Sequence, residues 1–410
     1  MQPTKEATDV VVVGAGPVGS FTASKLAKLG ANVTVFEEHK AVGSPSHCAG
    51  HISIRSLRNL GLYPLPKKIL ENTFSQANFY SPSGFKFSVH LAKPVTCAVN
   101  REAFDRCIAD KAEAAGARYK LNSRVQSLLL DNGAVKGVRV KRGDREESFP
   151  AKVVVDAEGI SSRLLRQTGL GGLNGARLVY AVEAEVESVK NVELDAVEVF
   201  LGKAYAPGFY GWLIPRLDGT AKVGLAANKG NPKEFLQRLM HKHPVASKQL
   251  RNAKITRMAF HPITLGGPIS KPYANGFLAV GDVASQVKPT TGGGVVFGLT
   301  CAGIAAEVAD KAVRRNDVSS NFLERYQKRC ADTLGFDFSV MLRVRRFLDA
   351  LSDRQLDEVL RFCARISLDK TLRNVDEIDF QGQMLLKFVT KPAMFAALVY
   401  FLKLYLSANP

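Results

Sequence analysis

Gly14-Ala15-Gly16-Pro17-Val18-Gly19 constrains this chain more than any other stretch. It joins an apolar, β-branched run at 9–13 to an apolar-patterned run at 20–29. Each glycine of such a turn has its own task. Gly14 allows the tight turn, Gly16 lets the backbone approach a pyrophosphate, and Gly19 lets a helix pack closely on a strand. The helix start then offers free N–H groups to phosphate charge. Gly30 closes the predicted helix at 20–29, and residues 31–36 read as a second strand. Glu37, 23 residues beyond Gly14, sits at the carboxyl end of that strand. An acid there binds ribose hydroxyls and disfavours a 2′-phosphate. Strand, glycine turn, helix, strand and acid together predict an α/β unit that binds a dinucleotide.

FAD is distinguished from NAD by a second constellation far down the chain. Val280-Gly281-Asp282 ends a predicted strand at 276–280, and Pro289 and Gly292-Gly293-Gly294 precede an apolar helix predicted over 295–315. An aspartate after a strand can hold the ribityl or pyrophosphate part of FAD. The glycine run brings backbone N–H groups and a positive helix end toward the isoalloxazine. The competing explanation is a glycine hinge before a core helix.

Between these two signatures the sequence turns to β-structure. Residues 74–99 read as short strands broken at Ser81-Pro82-Ser83-Gly84, 101–115 as a helix, 117–156 as a β-meander, and 178–226 as mostly strand. The cofactor-binding domain is therefore discontinuous: 1–60, 98–172 and 270–322. A β-rich substrate domain takes 61–97 and 173–269, and a helical region takes 323–410. A chain of 410 residues is long enough for such a division.

Charge and cysteine usage narrow the partners. The formal net charge is +18. The basic residues are spread along the chain, with neither a basic tail nor an RNA-recognition motif, so no nucleic-acid partner is expected. An anionic lipid or membrane surface fits the charge better. The six cysteines form no CxxC pair, so no metal site is expected. No signal-peptide pattern precedes the first strand, and a reducing cytoplasm is the expected location.

Several further residues are candidates for chemistry. Arg101 opens the helix at 101–115, where a solvated surface arginine is the ordinary alternative. Asp156-Ala157-Glu158-Gly159 closes a strand, as ordinary strand ends also do. Cys48 lies in Gly43-Ser44-Pro45-Ser46-His47-Cys48-Ala49-Gly50, a small-residue loop suited to close approach to a ligand. A buried inert cysteine is the usual alternative. Tyr210, Trp212 and Ile214 alternate, so they share one strand face, as an apolar tunnel or an ordinary sheet core would require.

Together these residues resemble the geranylgeranyl reductase family. The carriers are Cys48-Ala49-Gly50, the helix start Arg101-Glu102-Ala103-Phe104-Asp105, Gly281-Asp282 with Lys288-Pro289 and the 292–294 glycines, and above all PxxYxWxFP, met by Pro207, Tyr210, Trp212 and Pro215. Ile214 stands where that pattern has phenylalanine. The resemblance covers nearly the whole chain. It implies a glutathione-reductase-like FAD fold with a p-hydroxybenzoate-hydroxylase-like arrangement. It also implies FAD contacts at Ala15, Glu37, Cys48, Ala49, Arg101, Val125, Asp282, Gly294 and Val295, and a lipid tunnel lined by Tyr210 and Trp212. The implied reaction saturates C=C bonds of geranylgeranyl chains in archaeal-type membrane lipids, with hydride from N5 of reduced FAD. Cys48 is the candidate catalytic residue, and NADPH, a ferredoxin or another reductant is the implied electron donor. Two alternatives share these features: a flavin-dependent monooxygenase of the same fold, and a non-catalytic flavin- or lipid-binding protein.

The most apolar stretch is 392–406. As a helix at ~1.5 Å per residue it would reach roughly 22 Å, short of a ~30 Å hydrocarbon core. With Lys387 and Lys391 before it, peripheral association with an anionic membrane is expected.

Overall fold

The computed structural model describes residues 8–173 and 175–408. The chain divides into two compact units. One comprises Met1–Ser46, Arg101–Gly175 and Gly266–Phe336, and the other His47–Asn100, Ala176–Leu265 and Asp337–Pro410.

The first unit is built on a six-stranded sheet ordered 273–274, 277–279, 153–156, 10–13, 33–36 and 118–120. Its neighbours run parallel except for the terminal 273–274 strand. Val10, Val11, Val12 and Val13 are all buried because helices or further β-structure cover both faces of a parallel sheet. Complete burial of each valine contributes about 1.5–3 kcal/mol. The helices Pro17–Lys28, Arg101–Ala114 and Val295–Arg314 belong to this unit. The meander Arg124–Asp131, Ala134–Arg142 and Arg145–Pro150 packs through Val125, Leu128, Val135 and Val138 onto Val11, Val154 and Phe277.

The second unit holds a seven-stranded sheet ordered 254–264, 178–187, 221–227, 211–215, 196–200, 76–80 and 86–90. One face packs Val182, Ala184, Leu213, Val223 and Leu225 against Leu236, Leu239, Met240 and Leu250. The last four come from the helices Pro232–Lys242 and Ala246–Leu250, within a stretch expected to be β-rich. The other face carries Trp212, Glu183, Lys222 and their neighbours. A small sheet pairs His51–Ser53 and Leu70–Phe74 on either side of Thr96–Val99.

The units differ from the expected three regions chiefly at three places. Residues 323–336, expected in the helical region, belong to the first unit. Residues 47–60 belong to the second unit, because His51, Ile52 and Ser53 pair with Ala98, Cys97 and Thr96. Residues 337–410 also join the second unit, because Leu351, Leu356, Val359, Leu360 and Met394 pack on Phe87 and Val89.

Candidate functional site

In the first unit the three glycines of the opening turn are required for three different physical reasons. Gly14 has φ +92°, and a Cβ there would meet the Ala157 carbonyl oxygen at 2.5 Å. Gly19 lies so close to the strand that a Cβ would fall 1.9 Å from the Gly14 oxygen. Gly16 is unlike either: a Cβ would meet no atom within 4 Å among the described residues. Among the described residues no packing calls for glycine at 16, and open space before a helix start suits close approach of a ligand. Gly16 is also the N-cap of Pro17–Lys28 and caps with no side chain. The helix start therefore keeps its N–H groups, with about half a positive charge, for an anion.

Glu37 stands at the end of its strand as expected. One carboxylate oxygen accepts the Ala15 N–H at 2.8 Å, and the other accepts the His39 N–H at 3.0 Å. The carboxylate is thereby fixed against the glycine turn. Val125 is buried in the cluster that holds Phe36, the residue before Glu37.

The late glycine loop meets the same turn. Cβ atoms on Gly281 and Gly298 would lie 3.2 and 2.6 Å from the Val18 side chain, so the two glycine-led helices touch through missing side chains. Gly281 is further fixed by a buried chain. Its N–H donates to Gln286 Oε1 at 2.7 Å, Gln286 Nε2 donates to the Tyr326 hydroxyl at 2.7 Å, and that hydroxyl donates to the Ala279 carbonyl at 3.0 Å. A Cβ on Gly294 would sit 2.7 Å from Asp282 Oδ1, and one on Gly293 2.8 Å from Lys288 Cε. Gly292 has φ +68°. Asp282 therefore lies directly against the start of the Val295–Arg314 helix, whose N-cap is the side-chain-free Gly294.

Arg101 is not a solvated arginine. Its guanidinium donates twice to Asp105, at 3.0 and 2.8 Å, and the pair is largely buried. Gly43 (φ +82°) lets the cysteine-bearing loop press on this helix start, since a Cβ would lie 2.9 Å from the Glu102 oxygen.

Asp156, which the sequence left at even odds with an ordinary strand end, is a further candidate. It is fully buried, and its Oδ2 has no hydrogen-bond partner among the described residues. Burial pushes its carboxyl well above the usual range, and the neighbouring Glu158 charge adds to this. Its successor Ala157 donates to the Val13 oxygen at 2.8 Å, beside Gly14. A strand ending in Asp-Ala beside a side-chain-free turn was the available signal. Open space at Gly16 and the start of the Pro17–Lys28 helix, where Gly16 caps with no side chain, fit a dinucleotide with a bound pyrophosphate.

The second unit gathers the other candidates on one sheet face. Ala49 packs in a cluster with Trp212, Ile214, Val197, Phe74 and Ala98. Tyr210 and Trp212 share a second cluster with Phe209, Ala181 and Ala226, and their rings stand 6.0 Å apart, edge to face. Cys48 is exposed rather than a buried filler. Its neighbours are held on both sides: His47 stacks on His261 at 5.8 Å, and the Ala49 oxygen accepts from Lys222 Nζ at 3.1 Å. Lys222 is itself buried and spends its other donors on Glu71 at 2.7 Å and the Val99 oxygen at 3.1 Å. Gly50 has φ +70°, and its oxygen accepts the Val99 N–H at 2.9 Å. The sequence reading missed Lys222, although a lone lysine inside an apolar strand was a visible irregularity.

The strand–turn–helix opening, Glu37 on the Ala15 N–H and the late glycine loop packed on Val18 fit a nucleotide-binding unit. A family model for the FAD binding domain matches residues 7–333. A digeranylgeranylglycerophospholipid reductase 2 of Methanopyrus kandleri is 34% identical over 85% of this chain and 88% of its own. A digeranylgeranylglycerophospholipid reductase of Methanocaldococcus jannaschii is 32% identical over 96% of this chain and 98% of its own. A solved geranylgeranyl bacteriochlorophyll reductase-like protein from Thermoplasma acidophilum superposes with a TM-score of 0.86 at 25% identity, covering 97% of this chain and 99% of that one. The chain belongs to the digeranylgeranylglycerophospholipid reductase family, and FAD is its cofactor.

Proposed function

We propose that this chain saturates the C=C bonds of geranylgeranyl chains on archaeal-type glycerophospholipids. What carries the reading is the second unit's apolar face, where Trp212, Tyr210, Ile214 and Ala49 meet beside the fixed Cys48 loop. Full-length likeness to reductases named for that substrate supports it.

An isolated alkene has no carbonyl to take up developing charge, so the protein's task is mainly to place it and exclude water. Reduced FAD supplies the hydride. The residues proposed to hold FAD are Gly14, Ala15, Gly16, Gly19, Glu37, Arg101, Val125, Asp282, Gly292, Gly293, Gly294 and Val295, with Cys48, Ala49 and Gly50 from the cysteine loop. The Trp212 face holds the apolar chain. Cys48 would supply the proton no later than hydride arrives: its S–H bond breaks, a C–H bond forms at the carbon next to the one that takes hydride, and solvent returns the thiolate to thiol. The electrons come from NADPH, a ferredoxin or another reductant. The test is lipid mass spectrometry after incubating digeranylgeranyl phospholipid with the reduced protein. Gain of H2 per double bond supports the reading, and incorporation of oxygen points instead to a monooxygenase.

The protein is further proposed to work in the cytoplasm, peripherally bound to an anionic membrane. Among the described residues no single helix is long and apolar enough to cross a bilayer. Gln381–Phe388 and Pro392–Leu404 pass such a test only as a pair bent by 118°. The Pro392–Ala408 helix packs Met394 and Ala397 inward yet exposes Phe395 (61%), Val399 (53%) and Leu402 (59%), a stripe at helical spacing. Leu386 is 60% exposed on the preceding helix. Lys387, Lys391 and Lys403 are also exposed in this region, which suits anionic headgroups. Replacing Phe395, Val399 and Leu402 together by serine leaves the packed face intact. The triple variant should lose roughly a hundredfold in partition onto anionic liposomes. Equal co-sedimentation of variant and wild type would exclude this stripe as the anchor.

A further inference from the structure

Trp212 is the chain's one tryptophan. In register, Glu183, Gly224, Trp212 and Val199 form a single row across four adjacent strands, so their side chains leave the same face. The row is interrupted at Gly224. A Cβ there would come within 2.4 Å of Trp212 Cζ2 and 2.6 Å of Cε2, so the indole lies over the bare backbone of the neighbouring strand, toward Glu183. Two buried polar atoms are left where they meet. Neither the indole Nε1 nor Glu183 Oε2 makes a well-formed hydrogen bond among the described residues, yet the indole N–H is near enough to the carboxyl to favour its charged form. Orphaned groups of this kind cost free energy until they find each other.

We propose that Glu183 is a positioning residue for the Trp212 face: its carboxyl, across the gap at Gly224, sets where the indole stands and so shapes the wall that holds the alkene chain. The part concerning the alkene rests on the reading of this face as the lipid face. The mechanism is electrostatic. A carboxylate draws the indole N–H into a charge-assisted hydrogen bond, and a neutral acid does so far less. Burial pushes Glu183 up to about 7, Lys222 and the indole pull it down, Glu185 pushes it up, and Arg216 pulls it down. On the adjoining edge strand Lys254–Thr264, Arg257 and His261 share this face, with Arg257 3.6 Å from Glu185. Protonation of Glu183 would release its hold on the indole N–H, so on this proposal the setting of Trp212 changes with pH near neutrality.

With a single tryptophan, intrinsic fluorescence reports this directly. In lipid-free holoprotein the emission should titrate with a midpoint near 7. The Glu183→Gln variant should be flat, whereas His261→Asn should keep the transition. The same Glu183→Gln variant should raise the KM for a geranylgeranyl lipid roughly fivefold with kcat and flavin spectrum little changed. A pH-independent wild-type emission, or a transition that survives Glu183→Gln, overturns the clamp whatever the substrate is. An intact titration with unchanged KM and product pattern overturns the wall role alone; the lipid-face reading falls only if Trp212→Ala also leaves KM and product pattern unchanged.

Discussion

The Gly16→Val variant should purify folded and colourless. Its backbone at φ −61°, ψ 178° suits a β-branched residue, and the added side chain meets no protein atom near Cβ, so stability should be close to wild type. The isopropyl group instead fills the space assigned to the pyrophosphate and separates it from the helix N–H groups. Losing even two charge-assisted hydrogen bonds, each worth about 1.5–3 kcal/mol, lowers FAD affinity by at least about two orders of magnitude. Gly19→Val is the instructive contrast. Its Cβ would lie 1.9 Å from the Gly14 oxygen, so that variant should lose fold and flavin together. Circular dichroism with the flavin-to-protein absorbance ratio separates the two cases. Full flavin occupancy in Gly16→Val would remove the pyrophosphate from this turn.

Cys48→Ala should keep FAD and lose most alkene reduction, by roughly 10²- to 10⁴-fold, the usual weight of a positioned proton donor. The loop around it should survive, because its anchors are the His47–His261 stack and the Ala49 oxygen on Lys222, neither of which uses the thiol. Cys48→Ser is the informative companion. A hydroxyl donates less readily than a thiol, so it should recover part of the rate at most. Unchanged turnover in both variants would return Cys48 to a spacer between two fixed neighbours.

The parts of this structure visible in the sequence are those set by local geometry. The opening glycines, the buried valine strand and Glu37 all act within one strand–turn–helix unit, so their spacing carries the information. Strand alternation placed Trp212 and Ile214 together, whereas Tyr210 lies just before the strand, which begins at Gly211. The Pro232–Lys242 helix was also legible and was passed over. Asn231 accepts the Lys233 N–H at 3.0 Å as its N-cap, and Pro232 takes the first turn, both ordinary helix-start signals. Other features depend on distant partners. Lys222 is satisfied by residues 49, 71 and 99, which only the folded sheet brings to it. Glu183 gains its setting from a glycine on the next strand and an indole beyond it. The boundary near residue 47 was missed for the same reason, since the pairing of 51–53 with 96–98 is long-range. Local sequence carries the glycine turn, while the sheet register determines the surroundings of Trp212.

Anaerobic mixing of dithionite-reduced, desalted holoprotein with digeranylgeranylglycerophospholipid tests alkene reduction most directly. Flavin oxidation by the lipid predicts that the yellow absorbance returns without oxygen, with one double bond saturated per flavin reoxidised. Saturated phospholipid of the same headgroup should leave the flavin reduced. If the flavin stays reduced with the unsaturated lipid, and reoxidises only when oxygen is admitted, the chain is not an alkene reductase for this lipid.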